Sequence, residues 1–130
     1  MASESLSNKL VKAQLPATTA AQDAAQASTN ANVIVAESIL DVSGKNSVQY
    51  IVNNTGANTI TAQIQGRIRN ANGTASAWVA SSLAAADVAA GASVAIGLTA
   101  CPFSEVAVFI DAKVDGAQGA ALVYGIAKQL

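Results

Sequence analysis

Between Asn58 and Asn70 the side chains divide by parity. Ile60, Ala62, Ile64, Gly66 and Ile68 point one way, and Thr59, Thr61, Gln63, Gln65, Arg67 and Arg69 point the other. Alternation held over a strand length gives one apolar and one polar face. A helix cannot use the pattern, because at about 100° per residue the isoleucines scatter round the cylinder. The stretch predicts the central strand of an antiparallel sheet.

The flanking runs fit that strand. Val33 to Val42 is apolar on both faces, with Val33, Val35 and Ile39 opposed to Ile34, Leu40 and Val42. Ser43-Gly44-Lys45-Asn46 is a turn, and Ser47 to Val52 alternates with Val48, Tyr50 and Val52 inward. Two alternating runs either side of Asn53-Asn54-Thr55-Gly56-Ala57 predict a hairpin. Asn70-Ala71-Asn72-Gly73 predicts a second tight turn. It leads into Thr74 to Ala80, which carries the single tryptophan, Trp78. Trp78 reads as a core anchor, with an exposed interface hot spot as the alternative.

Ser81 to Ala90 is small and alanine-rich, a helical turn or an irregular crossover. Ala90-Gly91-Ala92 turns into Ser93 to Leu98, where Val94, Ile96 and Leu98 share a face. Pro102 interrupts pairing, which predicts a change of sheet between Ala100 and Ser104. In Glu105 to Val114, Val106, Val108, Ile110, Ala112 and Val114 oppose Glu105, Phe109, Asp111 and Lys113. Asp115 to Gly119 is a turn, and Ala120 to Lys128 ends the pattern with Leu122, Tyr124 and Ile126 in register. About eight short strands separated by turns predict one all-β domain, an antiparallel β-sandwich or jelly roll.

Residues 1–32 differ in composition. Leu6, Leu10 and Val11 make at most one short helical face, which Pro16 ends. Thr18 to Asn32 is almost wholly Ala, Thr, Gln, Ser and Asn. Alanine favours a turn or two of helix around Thr19 to Ala27, but no apolar stripe holds it to the body. The chain therefore divides into an extended N-terminal arm, residues 1–32, flexible or partly helical, and a β-sandwich domain, residues 33–130.

Composition bounds the function. Charged residues are 12% of the 130 and the net charge is −1, so the basic stripe of a nucleic-acid binder is missing. Hydrophobic residues make up 52%, yet thirty are alanine and only 4% are aromatic. At roughly 25 cal/mol per Å² such side chains give a thin core. A thin core and few charges point to stabilisation by assembly. No apolar run reaches the ~18 residues of a membrane span. Met1 to Leu10 lacks the apolar stretch of a secretory signal, so synthesis in a cytoplasm is expected.

The chemistry of catalysis is sparse. Histidine is absent, removing the usual general base and metal ligand. Cys101 stands alone and reads as a small buried apolar residue. Asp111 and Asp115 read as a solvated pair; the Lys113 between them spoils a calcium loop. Arg67 and Arg69, two apart on one strand face, could clamp a carboxylate or phosphate, against ordinary wet-face solubility. Asn53-Asn54-Thr55 and Asn72-Gly73-Thr74 fit the glycosylation sequon but serve as turns. No catalytic, cofactor-binding or metal-ligating residue is assigned, no cofactor is expected, and the chain is expected not to be an enzyme.

Val48 to Gly56 (Val-Gln-Tyr-Ile-Val-Asn-Asn-Thr-Gly) precedes a Thr/Gln/Ile strand and then Trp78. Val88 to Val94 (Val-Ala-Ala-Gly-Ala-Ser-Val), Pro102 to Val108 (Pro-Phe-Ser-Glu-Val-Ala-Val) and Tyr124 to Lys128 (Tyr-Gly-Ile-Ala-Lys) follow. Over about residues 33 to 128 this order resembles small β-sandwich virion proteins of tailed bacteriophages, the head decoration or cement class. The resemblance implies a structural protein on the capsid exterior, made in the host cytoplasm. It would bind the major capsid protein, as a homo-oligomer (dimer or trimer), with no nucleic acid or membrane as partner. The arm would reach adjacent subunits. The alternative is a phage tail or fibre module that binds a receptor or carbohydrate.

Overall fold

The computed structural model describes residues 19–21, 33–35, 38–114 and 119–129. Expectations for the remaining arm residues and for Asp115 lie outside the described residues. Ten strands are described: β1 (Thr19–Ala21), β2 (Val33–Ile34), β3 (Leu40–Asp41), β4 (Ser47–Asn54), β5 (Ile60–Arg67), β6 (Val79–Ala80), β7 (Ala86–Val88), β8 (Ser93–Leu98), β9 (Glu105–Ala112) and β10 (Ala120–Lys128). They form a four-stranded sheet in the order β1-β10-β4-β8 and a six-stranded sheet along β2-β9-β5-β6. Every pairing is antiparallel.

β2 and β3 pair along β9, and β6 and β7 along β5, so ten segments fill eight strand positions. The first position lies beside the eighth in one sheet, and the second beside the seventh in the other. This is the jelly-roll layout, and the all-β sandwich expected from the alternation is what the chain forms.

The inward faces meet in one core. Val48, Tyr50, Val52, Ile96, Leu98, Ala121 and Val123 of the four-stranded sheet face Ile60, Ala62, Ile64, Val106, Val108 and Ile110. Tyr50 is a large polar side chain that crosses between the layers. Its hydroxyl donates to the carbonyls of Ser38 at 2.6 Å and Val106 at 3.3 Å. Burial, and to a lesser degree the nearby Cys101, pushes the phenol far above its usual range, so it stays protonated. The ring lies over Gly125, where a Cβ would overlap it, and Phe103 covers Gly66 in the same way.

Several expectations are corrected. Val33 to Val42 is not one strand: it breaks between β2 and β3, and Ser38 fills the gap. The Ser38 hydroxyl donates to Val35 O at 2.6 Å and accepts Val108 N–H at 2.8 Å, so β9 keeps a partner there. β4 and β5 are not a hairpin, since they belong to opposite sheets. The link crosses the sandwich because Asn54 anchors it. Asn54 Nδ2 donates to Asn58 O and Val88 O, both at 2.8 Å, and Oδ1 accepts Gly56 N–H at 2.9 Å.

The Asn70 to Gly73 turn forms as expected, with Gly73 at φ +89° and its N–H on Asn70 O. Thr74 to Ala80 is a single bridge, Arg69↔Ala75, and then the short β6. The chain does change sheet between β8 and β9, across Pro102. Ile68 and Val114 lie past the ends of their strands and are exposed. Asp111 is buried and not on a wet face. Thr19–Ala21 is a strand on β10 where a helical turn was expected.

Candidate functional site

The side chains with the most chemistry gather on the outer face of the six-stranded sheet. The β5–β9 register sets Arg67 opposite Glu105, Gln65 opposite Ala107, Gln63 opposite Phe109 and Thr61 opposite Asp111. Arg67 Nε donates to Glu105 Oε1 at 2.7 Å, and Arg69 Nε reaches the same oxygen at 3.2 Å. Arg69 also donates through Nη1 to Gly73 O at 2.8 Å, which ties the tight turn to the sheet. The arginine clamp of the sequence is thus real, and the chain's own Glu105 fills it.

Trp78 roofs this cluster and is not in the core. Its ring lies 4.3 Å from Arg67 Cζ and meets Phe109 edge-on, with centroids 5.6 Å apart. A guanidinium held between a carboxylate and an indole face is fixed in place. Gln65 donates to Gln63 at 2.9 Å alongside, and Lys113 pairs with Asp87 at 3.2 Å. The result is a polar, rigid surface with one half-buried aromatic.

The remaining sequence candidates scatter. Burial pushes the half-buried Cys101 thiol up, with a backbone hydrogen bond at Phe103 opposing in part. That disfavours the reactive thiolate. The Asn54 side chain holds the β4–β5 crossing, and Asn72 Oδ1 accepts the Thr74 N–H. Among the described residues no three His, Cys, Asp or Glu side chains are placed to hold a metal ion.

Two features escaped the sequence. Glu105 as the partner of both arginines needs the β5–β9 register, which a single chain does not announce. The outer face of the four-stranded sheet carries an apolar patch, with Ile51 and Tyr124 exposed. The signal for it was present: Leu122, Tyr124 and Ile126 share one parity, and the opposite parity holds Ala121, Val123, Gly125 and Ala127.

No protein-family model and no curated protein sequence matches the chain. Among solved structures, the crystal structure of PirA matches with a TM-score of 0.44 and 15% sequence identity, over 83% of this chain and 84% of that one. A likeness at that level carries no argument about function.

Proposed function

We propose that this chain is a non-enzymatic structural protein of a bacteriophage particle. In this reading it is a capsid decoration or cement protein that binds the major capsid protein lattice from outside as a small homo-oligomer. The observation that carries the reading is where the reactive side chains are committed. Arg67 and Arg69 close on Glu105, Lys113 on Asp87, and the Tyr50 hydroxyl on two carbonyls of the opposite layer. These groups fasten strands together, which leaves flat outer faces and strand edges as the working surfaces. Jelly rolls serve widely in viral capsid and lectin domains, a fold-level analogy that favours contact over chemistry.

The second reading is a tail or fibre module that binds carbohydrate. Trp78, half-buried over Arg67 on the sheet face that also carries Gln63 and Gln65, is the feature in its favour, since sugars stack on aromatic faces near amides. Co-sedimentation of the purified chain with assembled capsids separates the two. Saturable binding that weakens when residues 1–18 are removed supports decoration. No binding to capsids, with retention on a glycan array that Trp78→Ala abolishes, transfers the assignment to the fibre module.

A further inference from the structure

The outer face of the four-stranded sheet has a different character from that of its partner. Ile51 of β4 pairs directly with Tyr124 of β10 and with Ala95 of β8, and Gln49 pairs with Ile126. Gln49, Ile51, Tyr124, Gly125 and Ile126 line a shallow hollow of about 160 Å³. The Gln49 side chain folds over Gly97, where a Cβ would overlap its amide. Its polar end is thereby drawn towards the β8 edge, and Ile51, Tyr124 and Ile126 are left contiguous. Exposures of 39% for Ile51 and 37% for Tyr124 are those of side chains with one flank still in water.

We propose that this face docks on the same face of a second copy of the chain, across a two-fold axis. The proposal deepens the homo-oligomer part of the reading above and rests on it. Charge selects the occupant: β4, β8 and β10 together carry one charged residue, Lys128, at the far end of β10. A face with its single charge at one end meets its own copy with little like-charge repulsion and offers a charged partner little to recognise. The other outer face carries Arg67, Arg69, Glu105, Asp87 and Lys113, already paired within the chain, and a dry self-contact there would have to offset the cost of desolvating them. Docking is reciprocal, each Tyr124 entering the hollow beside Ile51 and Ile126 of the other copy, as an isologous contact requires.

Area sets the strength. β1, β10, β4 and β8 have 3, 9, 8 and 6 residues, which at about 3.3 Å per residue and about 4.8 Å between strands gives roughly 400 Å² of flat footprint per copy. Doubled, that is roughly 800 Å², below the roughly 1,000 Å² of a stable specific interface, so the contact is a weak, transient one. The dimer therefore comes apart on dilution.

Sedimentation equilibrium of the full chain, from about 5 to 500 µM, tests this by mass action. The expected result is a 12.9 kDa monomer at the low end moving to twice that mass at the high end. Tyr124→Lys and Ile51→Lys should each weaken the dimer at least about tenfold, whereas Gln63→Lys on the opposite outer face should leave it unchanged. If a lysine variant loses its strand spectrum, the milder Tyr124→Ser takes its place and the wild-type isotherm still decides. A monomer at every concentration overturns the proposal. So does a dimer indifferent to all the face variants, or a trimer. No capsid enters the measurement, so failure here leaves capsid attachment standing.

Discussion

Tyr50 ties the two layers together through one hydroxyl. Tyr50→Phe keeps the ring over Gly125 but leaves the carbonyls of Ser38 and Val106 without that donor, which should cost about 1–3 kcal/mol in a denaturant melt. The same residue predicts a pH dependence. Burial raises the folded phenol above its free value of 10.0, so below that pH both states keep the proton and its stabilisation is complete. Above it the unfolded chain loses the proton first, so stability falls as pH rises, by up to about 1.4 kcal/mol per unit from this group. Melts of wild type and Tyr50→Phe between about pH 9 and 11 should converge as this contribution is lost; parallel curves would show that Tyr50 is not the cause. Ile64→Ala should cost about 2–5 kcal/mol, while Gln63→Ala, one residue along, should stay within about 0.5 kcal/mol. Ile64 was legible from parity alone. The role of Asn54 was not, because an asparagine in an Asn/Gly loop looks the same whether it closes a hairpin or carries the chain across a sandwich.

At the scale of elements, alternation found the strands but not their partners. β4, β5 and β8 each present the parity seen in the sequence, and their inward residues are the core, whereas in β10 the small Ala121, Val123 and Ala127 face inward and Leu122, Tyr124 and Ile126 face out. β9 departs from it, since Ala107 and Phe109 on its outer side are also buried. The unbroken Ala107-Val108-Phe109-Ile110 run was the sign, for strands covered on both faces lose their alternation. Trp78 was misplaced for a related reason: an aromatic buries area equally well under a core or over an arginine. The paired choice of Gly125 beside Tyr50 is a packing contact that no local pattern reveals. Gly125→Ala should push a methyl into the Tyr50 ring and cost about 1–3 kcal/mol, read from the denaturant midpoint. A neutral result would mean that the ring sits elsewhere.

At the scale of the molecule, ten segments in eight positions make a closed jelly roll in which most chains of chemistry end on the fold's own backbone or side chains. The two outer faces divide the remaining surface, one charged and cross-linked by Arg67, Arg69 and Glu105, the other nearly charge-free around Ile51 and Tyr124. Class and strand count followed from periodicity and turn residues. The order of strands did not, because pairing between β1 and β10, or β5 and β9, joins residues far apart in the chain. Capsid decoration makes one demand that neither face nor fold satisfies by itself: the bound protein must hold neighbouring shell subunits together. Under the proposed decoration role, heat-induced genome release from phage heads lacking this protein and then supplied with it measures that directly. Reconstitution should raise the release temperature and Δ1–18 protein should raise it less; binding without any change in release, or no binding at all, would contradict the assignment.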